Sequence, residues 1–475
     1  MRFLTVRRPF SLLLTEAETR RDRNGGRSSS HRPFAGPITL AVHRRTPRNR
    51  PDRRKEGTLL AHSNGSEAAT LRRKLGETVT ADWHKVLCAA ESAQLVAADK
   101  VALLHEALDS TADATRRSEF YTAYFGALDA FAAKNRDAAT WAVLGLGNIL
   151  IEDAAKGLID TPLPVARSAR HGSVCLPAAA ADSAWIPPTD ADVLGPELLR
   201  NEKHTILEAV DGTWITNEPN RIRLRSETDA IRAEVAKYSG QTKEISCLDP
   251  ALDVAANVED DFTQALLRNY DSGLDLIEQV LPEQANEIKA LTEYVVALKG
   301  RYFVGGSDIV LFGASFLRLE PSWTPLCFAD HLTHEATHQL LHAKQEVHPL
   351  LLNRDATGVS SPIRTDPRPL YGTYHATFVF LRLTRLMAAV LRSPAKQWHE
   401  EAEIRFHRHL LGLLQGLAII AEHGVYSSEG REELDGWIET AREFVGLAGL
   451  PDPLLYNRLD WDYDRPDGSL PLLKV

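Results

Sequence analysis

The stretch that decides how this chain reads runs from Gly305 to Leu341, GGSDIVLFGASFLRLEPSWTPLCFADHLTHEATHQLL. Its first part, Asp308 to Leu319, is apolar and β-prone with one glycine inside, which predicts a strand. Pro321 to Pro325 turns the chain. A helix is then expected from near Phe328, amphipathic through Leu332, Leu340 and Leu341. It carries His334–Glu335–Ala336–Thr337–His338, an HExxH pattern. Residues i and i+4 lie one above the other on a helix face, so both imidazoles can reach one metal ion. Glu335 sits on a neighbouring part of that face, within reach of a metal-bound water. A strand followed by an HExxH helix is the order a zincin-like arrangement needs. The plainer alternative is a helix with several partly exposed histidines, since His331 and His342 flank the motif.

A catalytic metal needs a third protein ligand and an open position. The extended HxxGxxH pattern fails, because Leu341 stands where glycine is needed and Lys344 where histidine is needed. His342 lies about 12 Å along the axis from His334, too far to share its ion. The next expected helix, Gly372–Leu391, contains no Asp or Glu but has His375 near its start. His375 is therefore the expected third ligand. Its competitors are His399, Glu400 and His407 on a later helix, and a lone histidine can also be a hydrogen-bonded core residue. Just upstream, SPIRTDPRPLYG (361–372) is stiffened by three prolines and holds Arg364 and Arg368. Arginine grips planar carboxylates bidentately, so the pair suits a dicarboxylate co-substrate; the bland reading is a pair of structural salt bridges.

Around this stretch the apolar periods predict a mainly α chain with a small β component (α+β). Helices are expected over Ser92–Ser110, Arg116–Ala133, Asp137–Ala155, Asp261–Val280, Glu283–Leu298, Gln397–His423 and Ser427–Leu447, and around Leu71 to Leu87. Thr205–Val210 and Thr213–Thr216 flank Asp211–Gly212, a hairpin signal, and Arg221–Arg225 reads as a third strand. The expected organisation is a disordered basic head (1–65), a helical domain (66–180), a short β-rich and loop segment (181–258), and a metal domain (259–475) with the HExxH helix inside it.

The net charge of −9 is unevenly spread: residues 1–60 hold 15 Lys+Arg against 5 Asp+Glu, leaving the rest of the chain strongly acidic. The head has no aromatic interleaving and no basic helix, so it reads as a solvated tail, or as a start site placed too early, rather than a nucleic-acid or membrane binder. Arg7–Arg8 is followed by too short an apolar run for a secretory signal. No window offers 18 uninterrupted apolar residues; the nearest, Ala376–Leu391, is broken by Arg382 and Arg385, so no membrane span is expected. Cys88, Cys175, Cys247 and Cys327 are spaced too widely for a knuckle or disulfide framework, which fits a cytoplasmic protein with reduced thiols.

The GGSDIVLFGASFLRL strand, the LTHEATHQLL helix, the SPIRTDPRPLYG loop and the YHATFVFLRL helix, in that order, resemble the HExxH-motif family found in bacterial peptide-modification gene clusters. The resemblance covers residues 305–391 closely, under a fifth of the chain. It implies an iron(II)- and 2-oxoglutarate-dependent β-hydroxylase of ribosomal peptides. His334, His338 and His375 would hold iron, and Arg364 or Arg368 would hold the co-substrate. Some members are fused to radical SAM domains; this chain has no CxxxCxxC motif and would be a stand-alone version.

Three functions are thus open. The first is an iron/2-oxoglutarate oxygenase acting on a peptide, with a ribosomal precursor peptide as the implied partner. The second is a zinc metallopeptidase with Glu335 as general base. The third is a non-catalytic binding module with a structural metal. Imidazole suits iron and zinc alike, so ligand type does not choose between the first two.

Overall fold

A computed structural model describes residues 65–111, 118–167, 174, 191–211, 223–225, 231, 235–236, 253–254, 261–300, 303–318, 320, 322–359 and 369–448. The basic head, the expected boundaries near 180 and 258, and both arginines of the proline loop fall outside these residues. The described chain is mainly helical with small sheets.

The first half supplies α1 (Gly65–Ser92), α2 (Ala98–Asp109), α3 (Ser118–Ala132) and α4 (Arg136–Ala155). A two-residue pair follows, β1 (Leu163–Pro164) with β2 (Val193–Leu194), antiparallel. Then come short helices α5 (Pro196–Asn201) and α6 (Lys203–Asp211). The hairpin strand expected over Thr205–Val210 is therefore part of a helix: Leu207, Glu208 and Ala209 are good helix formers, and six residues of mixed polarity do not distinguish the two periods. Thr213–Thr216 lies outside the described residues.

The larger sheet is built from β3 (Arg223–Arg225), β4 (Asp253–Val254), β5 (Tyr294–Lys299), β6 (Gly305–Gly306) and β7 (Ala314–Arg318), in the order β3-β5-β7-β6 with β4 also on β5. Both β3 and β7 run parallel to β5; β6 runs antiparallel to β7. The Arg221–Arg225 expectation is met by β3. By contrast, the helix expected over Glu283–Leu298 ends at Leu291, and its second half is the central strand β5. Tyr294, Val296 and Leu298 face a small apolar cluster with Phe316 and Leu311, whereas Val295 and Ala297 face the main core. A strand buried on both faces reads as one apolar run, and periodicity alone does not separate that from a helix.

The strand expected over Asp308–Leu319 is also shorter. Ile309–Leu311 is a 3-10 turn capped by Asp308, and β7 starts at Ala314. The break is Gly313, whose φ of +96° lies where L side chains rarely go.

The second half adds α7 (Asp261–Val280), α8 (Pro282–Leu291), α9 (Pro325–Val347), α10 (Leu370–Arg392), α11 (His399–His423) and α12 (Ser428–Leu447), of which α9 packs on β6 and β7. One continuous apolar core takes side chains from Ala68 on α1 to Phe444 on α12. Helix α10 is long and apolar enough to cross a membrane by length and composition, yet it lies mostly enclosed by protein. At its centre Arg382 pairs with Glu287 of α8, both buried (2% and 1% exposed). Such a pair needs its partner, because an unpaired buried charge is costly.

Candidate functional site

Helix α9 carries the HExxH motif. Thr324 caps its N-terminus by accepting from the Cys327 amide at 3.0 Å, with Pro325 in the first turn. The helix is registered against the sheet by Gln339, fully buried, whose Nε2 donates to the Ala314 carbonyl (2.8 Å) while its Oε1 accepts from the Gly313 amide (3.2 Å). One amide thereby ties the residue after His338 to the start of β7.

The motif histidines face each other: Nε2 of His334 and Nε2 of His338 are 3.2 Å apart. Two nitrogens each about 2.0–2.1 Å from a tetrahedral ion lie at nearly this separation. Helix α10 brings His375 to the other side of His338, Nδ1 to Nδ1 at 3.1 Å, with the rings 17° from parallel. His375 is 5% exposed, and its Nε2 is buried without a hydrogen-bond partner. The three rings stand in a row, because His338 turns opposite nitrogens to its two neighbours. Among the described residues no group of three His, Cys, Asp or Glu side chains already surrounds a single point. The donor type and adjacency are those of a metal site, but as placed the three rings do not converge on one ion.

Burial pushes His334 down to about 4 and holds His375 well below the usual imidazole range, with His342, His338 and Arg354 adding to the effect on His375. A third of the His334 side chain still reaches solvent (33%). Both rings are neutral near pH 7, the form that binds metal.

Glu335 lies between the histidine row and the sheet edge, its Oε1 3.9 Å from Nε2 of His334. Ser307 donates its hydroxyl to Oε2 at 2.8 Å. Gly305 of β6 lies so close that an added Cβ would stand 2.5 Å from Oε1. Burial raises the carboxyl to about 8, against a smaller opposing effect of the Ser307 hydrogen bond. A carboxyl tuned near neutrality can give and take protons at working pH.

Beneath the site, Asp330 sits four residues before His334. Its Oδ2 accepts from Arg405 Nη1 and from His409 Nε2 of α11, both at 2.9 Å. Arg405 also bonds Glu401, which accepts from the capping Thr324. Burial alone would raise the Asp330 carboxyl; His409 and Arg405 outweigh it and hold it well below the carboxylate range. His409 is itself lowered by burial, against the opposing pull of the Asp330 carboxylate. On the far side of His375, the Tyr371 ring lies 4.2 Å from it, and the Tyr371 hydroxyl meets His342 Nδ1 at 3.1 Å. Arg354 covers the Tyr371 ring at 4.2 Å.

His334, Glu335, His338 and His375 are thus brought together by α9 and α10. Arg364 and Arg368 lie outside the described residues. Of the rival ligands, His399 turns its Nε2 to the Ser393 carbonyl (3.1 Å), His407 packs edge-on to Phe406, and Glu400 lies in the first turn of α11. Sequence reading passed over Ser307, Gly305, Asp330, Arg405 and Tyr371. Only Asp330 left a signal, one turn ahead of His334 on the same face. No protein-family model matches this chain, and no curated protein matches it.

Proposed function

We propose that this chain is a metal-dependent enzyme in which His334, His338 and His375 hold one Fe(II) ion, and that it hydroxylates side chains of a peptide with 2-oxoglutarate as co-substrate. The observation that carries the reading is His375. The fold brings it from 37 residues away to within 3.1 Å of His338, with its Nε2 buried and unpartnered, and it completes an all-histidine set. The bound metal would supply oxygen activation and a docking point for the co-substrate. The chain's own residues orient and exclude. Gln339 fixes the helix against β7, Asp330 with Arg405 and His409 fixes its outer turn, and Tyr371 walls off the inner side of His375. Arg364 and Arg368 are the residues proposed to bind the co-substrate carboxylate. The resemblance of residues 305–391 to the peptide-modification family supports the substrate class.

Glu335 favours a second reading. A carboxyl near 8 beside His334 suits the general base of a zinc metallopeptidase. The deciding experiment is anaerobic 2-oxoglutarate binding to Fe(II)-loaded protein, followed by its visible charge-transfer band. The first reading expects a band lost in His375→Ala and in Arg364→Ala or Arg368→Ala. No band, together with peptide cleavage abolished in Glu335→Gln, would overturn it in favour of the peptidase.

A further inference from the structure

Where α1 packs on α2, two histidines meet in a geometry that depends on how many protons they carry. His84 of α1 and His105 of α2 face each other Nδ1 to Nδ1 at 2.6 Å, with ring centres 4.9 Å apart and planes within 4°. The row continues on the outer side of each ring. His84 Nε2 lies 3.1 Å from Asp109 Oδ1, and His105 Nε2 lies 3.9 Å from Cys88 Sγ. Both rings are half-buried, whereas Asp109 and Cys88 reach solvent. A carboxylate only accepts, so the Asp109 contact puts a proton on His84 Nε2. Neutral His84 then accepts at Nδ1, and His105 donates from its own Nδ1. That leaves His105 Nε2 as the acceptor facing the Cys88 thiol. This assignment satisfies the whole row with both rings neutral, and it puts His105 in its Nδ1–H form.

We propose that His84 and His105 are a pH-sensitive clasp between α1 and α2, closed by one proton shared between the two Nδ1 atoms and released when both rings become cationic. With one added proton the pair is an imidazolium donating to an imidazole, and the contact holds. With two, both Nδ1 atoms carry hydrogen and neither accepts; two like charges stand edge to edge, and the rings part. Burial, and then His84, hold the His105 ring below the usual imidazole range, against the pull of Asp109 and Glu91. The charged groups acting on His105 all belong to α1 and α2. Among the described residues none comes from α3, α4, α8, α9 or β1, which also pack on the two helices. The unfolded chain has two independent imidazoles, so below about pH 6.5 it binds more protons than the closed clasp. Stability from the clasp is therefore present above that value and is lost as pH falls. Helix α1 is also held by α3, α4, α8 and α9, whereas α2 packs on α4 and β1 besides α1. Release therefore loosens α2, while α1 keeps its seat against the HExxH helix.

The test is a pH titration of the full chain carrying isotope-labelled histidine, read by nitrogen NMR, with the ring signals assigned through His84→Gln and His105→Gln. Near neutral pH His105 should show the Nδ1–H tautomer and His84 the Nε2–H tautomer. On acidification the pair should take up its protons in two separated steps. Between about pH 6 and pH 5 the unfolding constant from urea melts should rise by up to about 10-fold more in wild type than in the double variant, the slope of one proton. An Nε2–H tautomer at His105, a single simple titration of both rings, or equal acid sensitivity of wild type and double variant would each overturn the proposal. The tautomer readout needs one substitution at a time, so it decides the matter even where the double variant fails to fold.

Discussion

Ser307 donates its hydroxyl to Oε2 of Glu335 across 2.8 Å, joining the segment after β6 to the centre of the HExxH helix. That bond favours the charged carboxylate, against the burial that raises it to about 8. Ser307→Ala should raise the Glu335 carboxyl further, read by infrared titration of metal-free protein; an unchanged or lower midpoint refutes the account.

The same shift makes a stability prediction with a definite sign. A carboxyl whose folded value is raised keeps its proton in the fold while the unfolded chain loses it. Stability contributed by the bound proton is whole below about 4.5 and declines as pH rises toward about 8. The decline is about 1.4 kcal/mol per pH unit at most. Metal-free Glu335→Gln should therefore melt higher than wild type at pH 8 and equal to it at pH 4.5. Equal melting at both values would count against a raised carboxyl.

His375 and His342 lie against each other, ring centres 4.7 Å apart, yet differ in role under the proposed function. His342 already has the Tyr371 hydroxyl on its Nδ1, whereas Nε2 of His375 has no partner. His375→Ala should lose the HExxH metal to a chelator far faster than wild type, and His342→Ala should keep it. Metal retention in His375→Ala, measured by elemental analysis, would remove it from the ligand set.

Asp330 is 4% exposed and bound by Arg405 and His409. Asp330→Asn leaves Arg405 with Glu401 as its remaining counter-charge and should destabilise by less than an unpaired buried charge does, about 3–5 kcal/mol. Because the Asp330 carboxyl is depressed, its contribution is present above the unfolded value and is lost as pH falls through the folded one. Wild type should lose stability below about pH 4. Denaturant melts across that range, with and without the substitution, check both.

Two glycines of α12 should respond oppositely. A Cβ on Gly430 would stand 2.1 Å from the Leu350 carbonyl oxygen, backbone that has little room to move. Gly430→Ala should destabilise by about 1–3 kcal/mol. Gly436 has nothing within 4 Å of that position, so Gly436→Ala should stabilise by up to about 1 kcal/mol through helix propensity. Thermal unfolding of the pair decides it.

The sequence by itself determined the elements whose pattern is local. The HExxH spacing, the long amphipathic helices and the mainly α class were legible because i, i+4 periodicity acts within a few residues. His375 was reachable only by elimination, because nothing local marks a histidine as lying beside another 37 residues away. Tertiary structure alone decided that Tyr294–Lys299 is a central strand, since burial on both faces erases the alternation that would reveal it. It alone decided that Ser307 and Gly305 meet Glu335 and that Asp330 meets Arg405. Contacts between elements depend on how their faces pack, and packing is a property of the whole core rather than of any one segment.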